Sequence, residues 1–278
     1  MGESDMARKK TPIRLYIAVV LIFITLITAL VSFFWTPYRL DDTSGGRLEG
    51  PGAAHIFGTD RLGRDLASYV MAGTRIAYVT GLSATLIAAI LGITAGLLAA
   101  WLPPWADNAA SSLLDVLIAF PTLLLAMLLG AAQGRSTWTA VVSIGIACSA
   151  IIARLTRILA KQIMSKQFFV SARTSGTGNP AITFIHILPN IWQVLLVNIA
   201  VVFGVSILAE ASLSYLGLGV PPPNASLGRL MQEAQATVLT APLGAVLPGL
   251  VIVMMVTGVN LLADAVRDKL DSGGGIGR

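Results

Sequence analysis

Few residues in this chain have the type and spacing that chemistry needs. The two histidines, His55 and His186, and the single Cys148 show no ligand-like spacing, so no metal site is expected. No Gly-x-x-x-x-Gly-Lys-[Ser/Thr] stretch occurs, so the chain is not expected to hydrolyse ATP itself. No Ser-His-Asp or paired-carboxylate arrangement stands out, and no catalytic residue is proposed. Cys148 sits among apolar residues and reads as a small buried hydrophobe. Glu210 is different, because it lies at the end of a long apolar run where a carboxylate is costly. It either lines the mouth of a pathway or sits at the interface, solvated or bonded to a neighbouring helix. Asp115 opens another apolar run, where an acid near a helix N-terminus is favoured by the dipole.

The elements that position these residues follow from composition. The chain has 278 residues, 55% of them hydrophobic and 12% charged. Its mean hydropathy is +0.78. A soluble domain carries about 25% charged residues, so a soluble enzyme and a nucleic-acid binder are both excluded. Runs of roughly 20 apolar residues read as spanning helices. Six segments qualify: Leu15–Trp35, Ile76–Trp101, Val116–Leu129, Ser136–Ala153, Ile187–Ala209 and Leu243–Ala263. The first lacks a small-x-small exit and is too long for a signal core, so it reads as a retained anchor. Gly92-x-x-x-Gly96 and Gly130-x-x-x-Gly134 have the spacing that lets helices approach closely.

Charge orients the chain. With the N-terminus inside, twelve basic residues fall on inner segments: Arg8, Lys9, Lys10, Arg14, Arg154, Arg157, Lys161, Lys166, Arg173, Arg267, Lys269 and Arg278. Seven fall outside, at Arg39, Arg47, Arg61, Arg64, Arg75, Arg135 and Arg229. The positive-inside rule then places both termini in the cytoplasm. The expected division is 1–75 for the tail, first helix and outer segment, 76–268 for a helical core with a cytoplasmic loop at about 154–188, and 269–278 for a flexible tail.

That loop is the most informative stretch. Ser165 to Ser175 reads as a short helix with apolar Phe168, Phe169 and Ala172 against Lys166 and Arg173. Gly176 suits a left-handed helix end, and Asn179-Pro180 suits the start of a second helix. This helix is expected to stop at Leu188-Pro189, where proline interrupts the ladder. Both phenylalanines are expected to be exposed. The loop is then either a docking surface for another protein or an amphipathic helix on lipid headgroups. A second amphipathic stretch, Leu227, Leu230, Met231 and Ala234, follows Pro221-Pro222-Pro223 on the outer side. Its apolar face lies over a pathway opening or rests on the membrane surface.

Phe168-Phe-Val-Ser-Ala-Arg-Thr-Ser-Gly176, followed by His186-Ile-Leu-Pro-Asn190, resembles the loop signature of bacterial ABC-importer permeases. Phe57-Gly-Thr-Asp-Arg-Leu-Gly-Arg-Asp65, Asp115-Val-Leu-Ile-Ala-Phe-Pro121 and Ile207-Leu-Ala-Glu-Ala-Ser-Leu-Ser-Tyr-Leu-Gly-Leu-Gly-Val-Pro-Pro222 resemble the dipeptide, oligopeptide and nickel group of that family. The resemblance covers roughly residues 55–270. Val170 stands where the family usually has a Glu, and Ser171 where it has an Ala. That acid is expected to help fix the loop against the ATPase.

The resemblance implies an all-α membrane protein of six transmembrane helices, an anchor helix added to a five-helix core. It implies a heterodimer with a homologous permease, two cytoplasmic ATPase subunits or domains that bind ATP and Mg, and an extracytoplasmic substrate-binding protein. It implies a bacterial cytoplasmic membrane and short peptides as cargo. The chain itself would need no cofactor and bind no nucleic acid. The ATPase-coupling residues it implies are Phe168, Phe169, Ala172, Arg173, Gly176, His186, Leu188 and Pro189. Glu210, Leu227 and Met231 are candidates for the pathway or outer gate. A secondary transporter or channel acting without ATPase partners is the competing reading. It predicts charged or broken helices at mid-membrane.

Overall fold

The computed structural model describes residues 3–134, 136–221 and 224–273, with side chains described for 13–132, 134, 136–167, 169, 173–221 and 224–270. Its regular elements are helices, with no β-strand among the described residues, and residues 32–65 form a long non-helical segment. Helix α1 spans Glu3–Val31 and α2 spans Leu66–Ala100. Helices α3 (Pro104–Ala119), α4 (Thr122–Gln133) and α5 (Thr137–Met164) follow. The loop helices are α6 (Gln167–Thr174) and α7 (Asn179–Ile182). A π-helical turn, Thr183–Ile187, joins α7 to α8 (Leu188–Tyr215). Helix α9 (Leu227–Ala234) and α10 (Leu243–Gly273) complete the chain. Five helices are long and apolar enough to cross a membrane, and the bent α3–α4 pair raises the figure to six.

Helix α2 is the centre of the bundle, and its most extensive packing is against α5. Small residues make that possible. A Cβ on Gly92 would lie 2.7 Å from Ile152 Cβ, and one on Gly96 would lie 2.5 Å from the Ala153 carbonyl oxygen. The two backbones therefore approach as closely as glycine allows. The same spacing at Gly130 and Gly134 makes no close approach, since only Ser143 Oγ lies near Gly130 and nothing lies within 4 Å of Gly134.

The helix expected to be a retained anchor packs into the bundle. Helix α1 packs along α10, and Thr25 Oγ1 and Tyr78 OH share a hydrogen bond of 2.8 Å. Arg75 Nη1 donates to the Ser32 carbonyl at 2.7 Å, and its guanidinium lies over the Phe33 ring.

Two sequence expectations need correction. The third apolar run is not one helix from Val116 to Leu129: α3 and α4 meet at 89° across Phe120-Pro121. Proline excludes the helical region for the residue before it, and Phe120 is extended at φ −72°, ψ 129°. Asp115 accordingly lies near the end of α3, where it pairs with Arg154 at 3.2 Å. Likewise, Pro189 does not interrupt the chain, and α7 runs through the π turn into α8. The widened turn, with Leu188 N–H donating to the Thr183 carbonyl, re-satisfies backbone groups that proline would leave open. Helix α10 extends through Gly273, past the expected limit at Ala263, and residues 274–278 of the expected tail lie outside the described residues.

Candidate functional site

The loop between α5 and α8 folds into a compact hairpin of α6 and α7. Gly176 ends α6 with φ +81°, and its N–H donates to the Arg173 carbonyl at 3.1 Å. That conformation is the left-handed one that glycine adopts without a Cβ penalty. Helix α7 starts at Asn179 with Gly178 as its cap, and Pro180 occupies the first turn. Arg173 and Gly176 are exposed, as are Phe184 and Ile185 of the π turn.

Phe169 is not exposed. It retains 5% of its surface and joins a cluster with Ala100, Ala160, Ile163, Ile182, Ile187 and Ile191. Its ring centroid lies 6.0 Å from that of Trp101 at the end of α2. The expectation of an exposed Phe169 is therefore wrong: the residue anchors α6 to the bundle. The side chains of Phe168, Val170, Ser171 and Ala172 lie outside the described residues. Leu188 and His186 are half-buried and Pro189 is exposed, so the far end of the motif is partly accessible. Trp101, read from sequence only as the limit of the second span, donates its indole N–H to Thr183 Oγ1 at 2.9 Å.

A second cluster lies at the other end of the bundle. The segment before α2 is shaped by Asp60, whose Oδ1 accepts from the backbone N–H groups of Leu62 at 2.8 Å and Arg64 at 3.0 Å. This aims Arg64 at α9. Its guanidinium meets Asp60 Oδ2 at 2.5 Å, Glu233 Oε2 at 2.5 Å and the Tyr69 hydroxyl at 3.2 Å. Glu233 also accepts from Arg229 Nε at 2.7 Å. Burial alone would raise the Glu233 carboxyl, but Arg229 and Arg64 together outweigh it and hold the group below its ordinary value. For Arg64, burial opposes the charge, and Asp60 and Glu233 outweigh it in turn. Beside this cluster, Asp65 caps α2 by accepting from Ser68 N–H at 2.8 Å, and its other oxygen meets His55 Nδ1 at 3.0 Å.

The apolar face of α9 faces inward. Leu227 is fully buried and Leu230 nearly so, while Met231 is half-buried and packs towards Gly249 of α10. A Cβ on Gly228 would fall 1.9 Å from the Ala211 carbonyl oxygen, so α9 sits directly on the end of α8. It thus packs against the chain's own helices rather than on a membrane surface. Leu227 has no exposed surface with which to line a pathway in this conformation.

Glu210 holds the junction of α8 and α9. It is 1% exposed. Its Oε1 accepts from Ser214 Oγ at 2.7 Å and from Ser226 Oγ, the residue capping α9, at 3.0 Å. Its Oε2 is buried with no hydrogen-bond partner among the described residues. In this conformation the carboxylate is buried and bonded to Ser214 and Ser226. No group of three or more His, Cys, Asp or Glu residues is arranged to hold a metal ion among the described residues.

The architecture is a bundle of helices long and apolar enough to cross a membrane, with structured loops at both ends. Residues 92–273 match the family described as the binding-protein-dependent transport system inner membrane component. The chain is 37% identical over 256 residues to the glutathione transport system permease protein GsiD of Pectobacterium atrosepticum, covering 90% of this chain and 84% of that one. It is 32% identical over 269 residues to the dipeptide transport system permease protein DppC of Alkalihalophilus pseudofirmus, covering 97% and 88%. It is 37% identical over 248 residues to GsiD of Salmonella typhimurium, covering 88% and 82%. The chain belongs to the family of binding-protein-dependent inner membrane transport components, and is a multi-pass permease subunit of an ABC importer in its peptide group, forming part of the translocation pathway.

Proposed function

We propose that this subunit forms half of a pathway importing short peptides across a bacterial cytoplasmic membrane. It would pair with a homologous second permease, two cytoplasmic ATPase subunits or domains and an extracytoplasmic binding protein. Peptide cargo is supported by relatives whose names specify glutathione and dipeptides, both small peptides. The twelve-to-seven split of basic residues favours cytoplasmic termini, with α3 and α4 together as one broken span. The ATPases would carry the ATP and Mg.

The observation that carries the coupling role is the α6–α7 hairpin, a folded unit anchored by Phe169 and presenting Arg173 and Gly176 at the surface, with Pro189 exposed at the start of α8. A surface loop ordered in this way suits a protein partner better than lipid. Coupling then works by rigid-body transmission: closure of the ATPases displaces the hairpin, and α5 and α8, joined to it covalently, tilt with it.

Reconstitution in liposomes tests this reading. The chain with its second permease, ATPases and binding protein is expected to take up radiolabelled dipeptides only when ATP is supplied. Uptake by this chain alone, without ATPases, would instead establish a secondary transporter or channel.

A further inference from the structure

The hairpin is covalently joined to α5 and α8, yet its buried contacts reach a third helix. Trp101 closes α2, its backbone N–H donating to the carbonyls of Leu98 and Ala99. Its indole ring packs on Phe169 of α6 at a centroid distance of 6.0 Å. Its indole N–H donates to Thr183 Oγ1 at 2.9 Å, at the start of the π turn. Thr183 Oγ1 in turn donates to the Asn179 carbonyl at 2.9 Å, in the first turn of α7. One side chain on α2 therefore touches both arms of the hairpin. Ile182 and Ile187 on either side have no exposed surface, so the contact has little room to slide.

Helix α2 carries this contact to the far end of the molecule. Its 35 residues span roughly 52 Å at 1.5 Å per residue. Immediately before its first residue stand Asp65 and Arg64, and Arg64 bonds Glu233 of α9 at 2.5 Å. No proline interrupts α2, and its glycines, including Gly92 and Gly96 near the loop end, serve its close packing against α5, α8 and α9.

We propose that Trp101 is a positioning residue that makes α2 follow the cytoplasmic hairpin. Displacement of the hairpin by the ATPases then reaches the α9 cluster through α2, in addition to the covalent routes through α5 and α8. This rests on the hairpin being the ATPase contact. It assigns to α2 a part in coupling that the loop motif itself, which begins after Met164, does not contain.

The test uses the complete importer with spin labels on Leu62→Cys, just before α2, and Val246→Cys, in the first turn of α10, which has no direct covalent link to the hairpin. Both positions are exposed, at 57% and 53%, whereas the native Cys148 is fully buried. Trapping the ATPases with ATP and vanadate is expected to shift the distance between the labels in the otherwise wild-type chain. Thr183→Val and Trp101→Phe remove the indole–hydroxyl bond. They should keep assembly and ATP hydrolysis while lowering the ratio of shifted to resting populations about fivefold, the factor expected for one neutral hydrogen bond. Thr183→Ser keeps the hydroxyl and should restore the wild-type ratio. An unchanged ratio in Thr183→Val overturns the proposal, as does an equal loss in Thr183→Ser or the absence of any shift in the wild-type background. If Trp101→Phe fails to assemble, the Val and Ser variants decide the matter between them. Failure of the underlying reading shows separately, as a Gly178→Cys hairpin that does not cross-link to the ATPase.

Discussion

Asp107, in the first turn of α3, accepts from Arg157 Nε of α5 at 2.6 Å while Lys161 binds its other oxygen. Asp107 keeps 7% of its side-chain surface and Arg157 keeps 13%, so this pair is largely withdrawn from water. It fixes the start of α3 against α5 before the chain turns at Phe120-Pro121. Removing one partner of a buried pair strands the other, which costs several kcal/mol. Asp107→Ala is therefore expected to lower the thermal stability of the purified subunit more than Asp115→Ala, whose pair with Arg154 is about half exposed. Equal melting temperatures for the two variants would show that the Asp107 pair does not hold α3.

Phe169 should behave as a core residue. Phe169→Ala is expected to destabilise the hairpin by about 3–5 kcal/mol, the usual range for a buried phenylalanine, and Phe169→Leu by much less. Limited trypsin digestion reads this directly, because Arg173 lies on the exposed side of α6. Faster cleavage after Arg173 in Phe169→Ala than in Phe169→Leu is the expected result. Identical cleavage rates would mean that the ring does not anchor the hairpin.

The Arg64–Glu233 cluster should loosen in acid. The folded-state value of Glu233 is lowered, so its stabilising contribution is full above the ordinary carboxylate value of about 4.3. That contribution falls away as external pH drops below this value towards the folded one. Amide hydrogens of α9 are expected to be protected from exchange at neutral pH and to lose protection as the external pH falls below the ordinary carboxylate range. Glu233→Gln should lower that protection already at neutral pH. A pH-independent protection in both backgrounds would remove this cluster as the fastening of α9.

Topology can be read at two sites chosen for space. Nothing lies within 4 Å of a Cβ built on Gly50, and Ser165 is exposed between α5 and α6. Gly50→Cys is expected to react with an impermeant thiol reagent in intact cells, and Ser165→Cys only after lysis. Gly45 would serve badly, since a Cβ there comes within 2.8 Å of the Gly63 carbonyl. The opposite labelling pattern would invert the orientation.

Glutamine should substitute for Glu210. Its amide oxygen can accept from Ser214 and Ser226 as Oε1 does, and the amide NH2 would occupy the place of the unpartnered Oε2. Glu210→Gln is expected to keep both membrane level and transport. Glu210→Ala leaves two buried hydroxyls without their acceptor, at a cost of about 1–3 kcal/mol each, and should lower thermal stability. Loss of transport in a stable Glu210→Gln protein would put the carboxylate charge itself in the pathway.

What was legible in the sequence was mostly local. Gly176 announced a left-handed helix end because only one backbone conformation makes glycine useful there. The apolar spacing of Leu227, Leu230 and Ala234 announced α9, although not which way it faces. The burial of Phe169 was hidden because its partner, Trp101, belongs to a different helix. Arg64 and Glu233 likewise meet only after the chain has folded. The bend at Pro121 had a visible signal, a proline inside an apolar run, which the length of that run obscured. Asp107 had a weaker one, an acid in the first turn after two prolines.

The π turn at Thr183–Ile187 sets a phase relation between the two halves of one continuous helix. Each residue added to or removed from a helix rotates everything beyond it by roughly 100°. On the docking role proposed above, side-chain chemistry on α7 is only half of what the ATPase would recognise. Deleting the fully buried Ile187 would leave every exposed group of the turn present and rotate the hairpin relative to α8. Compatibility with an ATPase docking there would then be a matter of angular register as much as of composition. Exchanging loop segments between related permeases should succeed only where the length of this turn is preserved.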